Sequence, residues 1–165
     1  MIKFKKISFD QFKKDVLKLY PAMEESDIKE AYNEIELPKR GTKGSAGYDI
    51  RSPFGFTIEV DGQAKVIPTG IRAEMPENTY LQIVPRSGVG FKYGVSLANT
   101  VAIIDSDYFY SDNEGHVMLK FVPGFNNWEV VSGDRIAQGI FLQYFTTDDD
   151  DVIMVRKGGF GSTGK

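Results

Sequence analysis

Five short segments concentrate the residue types that handle phosphates and protons. They are AGYDI (46–50), PRSGVG (85–90), LANTVAIIDSDY (97–108), GDRIAQG (133–139) and RKGGFGSTG (156–164). In PRSGVG, Arg86 offers a bidentate fork, and a turn through Ser87 and Gly88 can present backbone N–H groups to an anion. The same letters also make an ordinary turn. In IIDSDY, Asp105 follows an apolar run and Tyr108 stands three residues on. A carboxylate at the mouth of a buried strand can take a proton from water, or it can simply form a turn. Tyr108 can belong to the core or wall off a ring. GDRIAQG is a turn feeding a strand, in which Arg135 is expected to pair with Asp134 or Asp49, and Gln138 can donate to an oxygen. A plain surface strand is the simpler reading of that segment.

The glycine-rich tail carries Arg156 and Lys157, the hydroxyls of Ser162 and Thr163, and one aromatic ring, Phe160. Such an inventory suits wrapping phosphates while a ring stacks on a base; an unengaged terminus is the alternative. From Gly159 to Lys165 the tail nearly spells the phosphate loop G-x-x-x-x-G-K-[ST], but the closing hydroxyl and the following helix are missing. A mobile clamp fits the composition better than a P-loop, because a segment with no core of its own stays loose until a ligand orders it.

Composition removes other chemistries. There is no cysteine, so disulfides and thiolate metal sites are excluded, and the single histidine, His116, gives no multi-histidine metal site. The H-x-E…P-C-x-x-C signature of zinc deaminases is absent. Net charge is −3 with both signs interspersed, so no direct DNA or RNA binding is expected. No apolar run approaches a membrane span and no signal peptide is evident, which points to a soluble, cytoplasmic protein.

The elements that must hold these residues fall into three parts. Residues 1–36 read as an N-terminal helical appendage. Ser8 can cap a helix in which Phe9, Phe12, Val16 and Leu19 recur at helical spacing, and Ser26 can cap a second. Residues 37–146 alternate short β-type runs (FTIEV, AKVIP, GIRAEM, TYLQIV, HVMLKFV, WEVV, RIAQGIFLQYF) with Gly, Pro, Asn and Asp turns, the texture of a sandwich or barrel. Residues 147–165 read as a flexible glycine-rich arm. The aspartate run at 148–151 is a solvated linker rather than a metal cluster, since like charges repel.

In this order and spacing, the five segments resemble the five motifs of the trimeric dUTPase family, the deoxyuridine triphosphate nucleotidohydrolases, from about Leu37 to Lys165. The resemblance implies a mainly β fold, a jelly-roll-like barrel, with three active sites at the junctions of a homotrimer. It implies hydrolysis of dUTP to dUMP and pyrophosphate, with Mg2+ on the triphosphate. By position, Asp105 corresponds to the residue that deprotonates the attacking water, and Asn99 to the uracil reader. Tyr108 corresponds to the aromatic residue against the deoxyribose. Arg86, Ser87, Gly88 and Gln138 correspond to phosphate contacts, and Asp49 to the aspartate associated with the metal's water shell. Arg156, Phe160, Ser162 and Thr163 correspond to the arm that closes over a neighbour's site.

Three departures stand out. After Asp-Tyr the family's usual Arg-Gly-Glu is replaced by FYSDNEGHV (109–117), Gly88 stands where a second serine is common, and residues 1–36 have no counterpart in the minimal pattern. The 1–33 and 109–115 segments are therefore candidate surfaces for a protein partner. A dCTP deaminase of the same fold and a nucleotide-responsive regulatory protein are the alternative functions.

Overall fold

Period-two burial shapes the longer strands of this chain, in a computed structural model that describes residues 1–154, 156 and 158. In strand β7 (Thr79–Pro85), Thr79, Leu81 and Ile83 point inward, with Tyr80 and Gln82 between them on the other face. In chain order the elements before it are β1 (Lys3–Lys6), α1 (Phe9–Leu19), α2 (Glu25–Glu34), β2 (Lys39–Arg40), β3 (Tyr48–Arg51), β4 (Phe56–Ile58), β5 (Lys65–Pro68) and β6 (Ile71–Glu74). After it come α3 (Ser87–Tyr93), β8 (Ser96–Leu97), β9 (Ala102–Asp105), a 3-10 turn (Ser106–Tyr110), β10 (Met118–Val122), β11 (Trp128–Val130) and β12 (Arg135–Gln143).

Every strand pair is antiparallel. The largest sheet runs β2-β3-β12-β7-β9; a second runs β5-β10-β8, and β1-β6 and β11-β4 are two-stranded. The mainly β, jelly-roll-like expectation holds, and each β-type run read from the sequence contains a strand. The segments 1–36 and 37–146 share one apolar core. Phe12, Val16 and Ile28 of the two helices are fully buried in the same cluster as Ile67, Leu81, Leu119 and Phe121 of the sheets.

Three local details differ from the sequence reading. A strand, β1, precedes the helices and pairs with β6, although Lys3, Lys5 and Lys6 give it no apolar alternation. Phe4 anchors it against Tyr48 and Phe141. Ser8 caps α1 as expected, accepting from the Gln11 N–H at 3.2 Å. The cap of α2 is Glu24, not Ser26, and it makes no side-chain cap hydrogen bond. PRSGVG opens a short helix, α3, which Gly88 and Gly90 conceal from propensity and which ends on Gly94 in the left-handed region (φ 71°).

The turn between β5 and β6 shows how tightly the N-terminal helices are seated. Gly70 has φ +72°, and a Cβ there would run into the Ile35 side chain and press on the Phe12 ring. Phe12→Ala is expected to destabilise the whole chain by about 3–5 kcal/mol, since a fully buried ring leaves a cavity that β-sheets cannot collapse to fill. Urea unfolding followed on both helix and strand signals checks this. Loss of the helix signal alone, with the sheets intact, would show the two parts to be separable.

Candidate active site

The catalytic candidates fall into two groups at opposite ends of β7. Asp105 closes β9, where Ala102 and Ile104 face inward and Ile103 and Asp105 outward, so the alternation that buries the strand exposes its last carboxylate. The chain then tightens into the 3-10 turn, which carries Tyr108 back into the core at 4% exposure. Arg156 lies across this end. Its Nη2 donates to Asp105 Oδ2 at 2.5 Å, its Nε donates to Asp107 Oδ1 at 3.0 Å, and its guanidinium carbon sits 5.8 Å from the centre of the Tyr108 ring. Ile103, Ile104, Asp105, Tyr108 and Arg156 line a small cleft of about 50 Å³.

The second group sits at the other end. Arg86, directly after β7, holds Asp49 Oδ1 through Nε at 3.0 Å, and Arg135 Nη1 donates to Asp49 Oδ2 at 3.3 Å. Asp49 of β3 stands opposite Gln138 of β12 in register. Of the two carboxylates expected for Arg135, it takes Asp49; Asp134 instead accepts from the Val131 N–H at 3.0 Å. Ser87 and Gly88 form the exposed start of α3, and nothing would meet a Cβ at Gly88. Asp49 thus has both oxygens on guanidinium groups.

Register measures the separation of the groups. Asp105 pairs with Tyr80, whereas Arg86 lies one residue past Pro85 at the far end of the same strand. Six residues of extended chain span roughly 20 Å. Asn99 is exposed on the turn between β8 and β9, with the Val101 N–H donating to its carbonyl at 2.6 Å. Because β8 belongs to the β5-β10-β8 sheet and β9 to the large one, this turn bridges two sheets and does not close a two-stranded hairpin. Phe160, Ser162 and Thr163 lie outside the described residues.

Several residues around Tyr108 escaped the sequence reading. Its hydroxyl donates to the His116 carbonyl at 2.8 Å and accepts from Asn113 Nδ2 at 2.8 Å. His116 is fully buried, with Nδ1 2.6 Å from Asp15 Oδ2 on α1, and Nε2 accepting from the Gly70 N–H at 2.9 Å. That second bond leaves the ring proton on Nδ1, facing Asp15. Burial works against ionisation of Asp15, but the hydrogen bonds from His116 and Gln11 outweigh it and hold its pKa below the ordinary value. Asp107 was also missed. The D-x-D spacing in IIDSDY was its signal, two carboxylates able to grip one guanidinium.

Comparison with known proteins gives this arrangement a family. A family model described as dUTPase matches residues 33–164. The deoxyuridine 5'-triphosphate nucleotidohydrolase of Lactococcus lactis is 41% identical over 135 residues, covering 79% of this chain and 89% of the relative. The Haemophilus influenzae protein of the same name is 37% identical over 141 residues, covering 81% and 90%. Among solved structures, the Streptococcus mutans dUTPase superposes with a TM-score of 0.64 at 27% identity, covering 88% of this chain and 98% of that one. A dUTPase from phage phi11 of S. aureus, described with a coordinated structural Mg(II) ion, shares the fold at a TM-score of 0.62 and 16% identity, covering 93% and 97%. With matches of this identity and extent joined to the same fold, this chain belongs to the dUTPase family.

Proposed function

We infer that this protein hydrolyses dUTP to dUMP and pyrophosphate, limiting uracil incorporation into DNA and supplying dUMP for dTMP synthesis. The observation that carries this reading is Asp105. It is a half-exposed carboxylate at the end of β9, within the stretch that matches the family, beside a ring that can wall a sugar. Attack on a phosphoanhydride needs a placed water and neutralised charge, with little covalent help from the protein. Asp105 takes the proton as the water oxygen bonds to the α-phosphorus and pyrophosphate leaves with the electrons of the broken P–O bond. Tyr108 packs on the deoxyribose and Asn99 reads the uracil edge. Arg86, Ser87, the Gly88 N–H and Gln138 hold phosphate oxygens. The guanidinium of Arg156 must leave Asp105 before that carboxylate can accept a proton, and the triphosphate is its natural destination. Phe160, Ser162 and Thr163 of the same arm close over the nucleotide.

Mg2+ bound to the triphosphate would supply further neutralisation of the departing charge. Among the described residues no group of three or more histidines or acidic side chains converges on one point. The donor set therefore fits an ion carried mainly by substrate oxygens and water, with Asp49 beside Arg86 accepting from its water shell.

The roughly 20 Å between Asp105 and Arg86 supports a site completed by another copy of the chain. The two groups leave opposite ends of β7, so neighbouring copies can each present one of them to the same triphosphate. A cyclic homotrimer, the family's assembly, brings unlike faces of neighbouring subunits together. Among the described residues no helix is long and apolar enough to cross a membrane.

Pyrophosphate release measured with dUTP, dTTP, dCTP and UTP tests the reading. Turnover is expected with dUTP and to be weak with the other three: cytosine leaves buried polar groups unpaired at about 1–3 kcal/mol each, thymine adds a methyl group, and the ribose of UTP adds a 2′-hydroxyl. Ammonia released from dCTP would replace the hydrolase with a deaminase.

A further inference from the structure

Tyr108 is held at both ends by residues of the segment that departs from the family pattern. At the ring end, Asn113 and the His116 carbonyl grip the hydroxyl. At the backbone end, the Ser111 N–H and Oγ meet the Tyr108 carbonyl at 3.1 and 2.7 Å, and the same Oγ lies 2.7 Å from Asn113 Oδ1. The segment is bonded within itself, the Glu114 N–H to the Ser111 carbonyl at 2.8 Å and the His116 N–H to the Asn113 carbonyl at 3.1 Å, but it also turns tightly. Glu114 and Gly115 are both in the left-handed region, at φ 58° and 70°, a conformation that glutamate adopts infrequently.

An outside constraint comes from α1. The Ser8 N–H and Oγ donate to the two oxygens of Glu114 at 2.8 and 2.5 Å, and the buried Asp15–His116 pair ties the second turn of the helix to the same segment. Burial opposes ionisation of Glu114 as well, yet the two bonds from Ser8 bring its pKa below the ordinary value. Burial pushes the Tyr108 phenol up, so the proton given to the His116 carbonyl stays in place.

We propose that Asn113 is a positioning residue for sugar selectivity: α1 and the 111–116 segment form a brace that fixes the Tyr108 ring, and this fixed ring excludes a ribose 2′-hydroxyl. The proposal rests on the reading of Tyr108 as the wall against deoxyribose. A wall can tell hydrogen from hydroxyl only if it yields by less than the size of an oxygen atom. A tyrosine pinned at its carbonyl and its hydroxyl has neither χ1 nor χ2 left to relax. In this chain the pins are near neighbours, and the segment that carries them is tied to Ser8 and Asp15 a hundred positions away.

The test measures kcat and KM for dUTP and UTP with the full-length Asn113→Ala, Tyr108→Phe, Tyr108→Ala and Asn113→Ala/Tyr108→Phe proteins, with Tm recorded for each. Asn113→Ala is expected to lower the dUTP-over-UTP ratio of kcat/KM about fivefold, the value of one hydrogen bond, mainly through KM for UTP falling. Tyr108→Phe, which also loses the bond to the His116 carbonyl, should cost at least as much. The double variant should lose no more than Tyr108→Phe alone, because without the hydroxyl Asn113 has no contact with Tyr108 left to lose. Asp15→Ala should show a smaller loss that Asp15→Asn restores, since the amide oxygen still accepts from His116.

An unchanged ratio in Asn113→Ala, with or without a lower Tm, while Tyr108→Ala destroys selectivity, overturns the brace and leaves the wall standing. Additive losses in the double variant also overturn it, placing Asn113 elsewhere. An unchanged ratio in Tyr108→Ala removes the wall and the brace with it. If Asn113→Ala does not fold, Tyr108→Phe removes that contact together with the bond to the His116 carbonyl, and an unchanged ratio there is equally fatal.

Discussion

Asp105→Asn is expected to lower kcat for dUTP by at least about 10²–10⁴-fold, the usual worth of a general base, with binding of the nucleotide retained. The amide has the shape of the carboxylate and can still order a water, but it cannot accept the proton. It also loses the charge that holds Arg156, so the guanidinium is freer to meet the triphosphate and nucleotide affinity should not fall. Single-turnover pyrophosphate release, beside a direct binding measurement, separates the two effects. Turnover near that of the parent protein would remove Asp105 from the role of base. A large loss of binding together with turnover would make it a structural residue.

The second large effect belongs to Arg86. Arg86→Gln is expected to cost about 10²–10³-fold in kcat/KM, in line with losing one preorganised group that meets developing charge. It also leaves Asp49 with Arg135 alone, so a carboxylate would then face the phosphates with less compensation. The more telling result comes from combining the two inactive proteins. If Asp105 of one copy serves the same nucleotide as Arg86 of another, co-expressed Asp105→Asn and Arg86→Gln chains should recover activity. A random cyclic trimer of equal parts should have about a quarter of its sites carrying both native residues. Mixed trimers with no recovered activity would mean that one chain supplies both groups, and the shared site would be wrong.

Much of the active region was readable because its signals are short. Asp105 and Tyr108 are three residues apart, and the inward–outward alternation of AIID predicts an exposed carboxylate at its end. Ser8 was legible as a cap because capping acts over three residues. Arg135 was expected to find Asp49 or Asp134, and cross-strand pairing of β12 with β3 decided for Asp49. Helix α3 was hidden by its glycines, and β1 by its lysines, which carry no period-two apolar pattern of their own.

The two segments read as candidate partner surfaces, 1–33 and 109–115, turned out to touch one another. Ser8 meets Glu114 across 106 positions, and Asp15 meets His116 across 101. A lone buried histidine beside a short insertion has no local signature of such a role. Its partners are chosen by where α1 lies on the β5–β6 turn, and that depends on Gly70 admitting Phe12 and Ile35.

Residue order by itself determined most of the strands, the Ser8 cap and the five chemical segments, because alternation, capping and turn chemistry are each encoded within a few neighbouring residues. Tertiary structure decided what those segments face. It placed Asp105 and Arg86 at opposite ends of β7, set Arg156 on Asp105, and closed the Asp15–His116–Tyr108 chain. Such contacts depend on the registers and packing of whole sheets, and no short window of sequence carries that information.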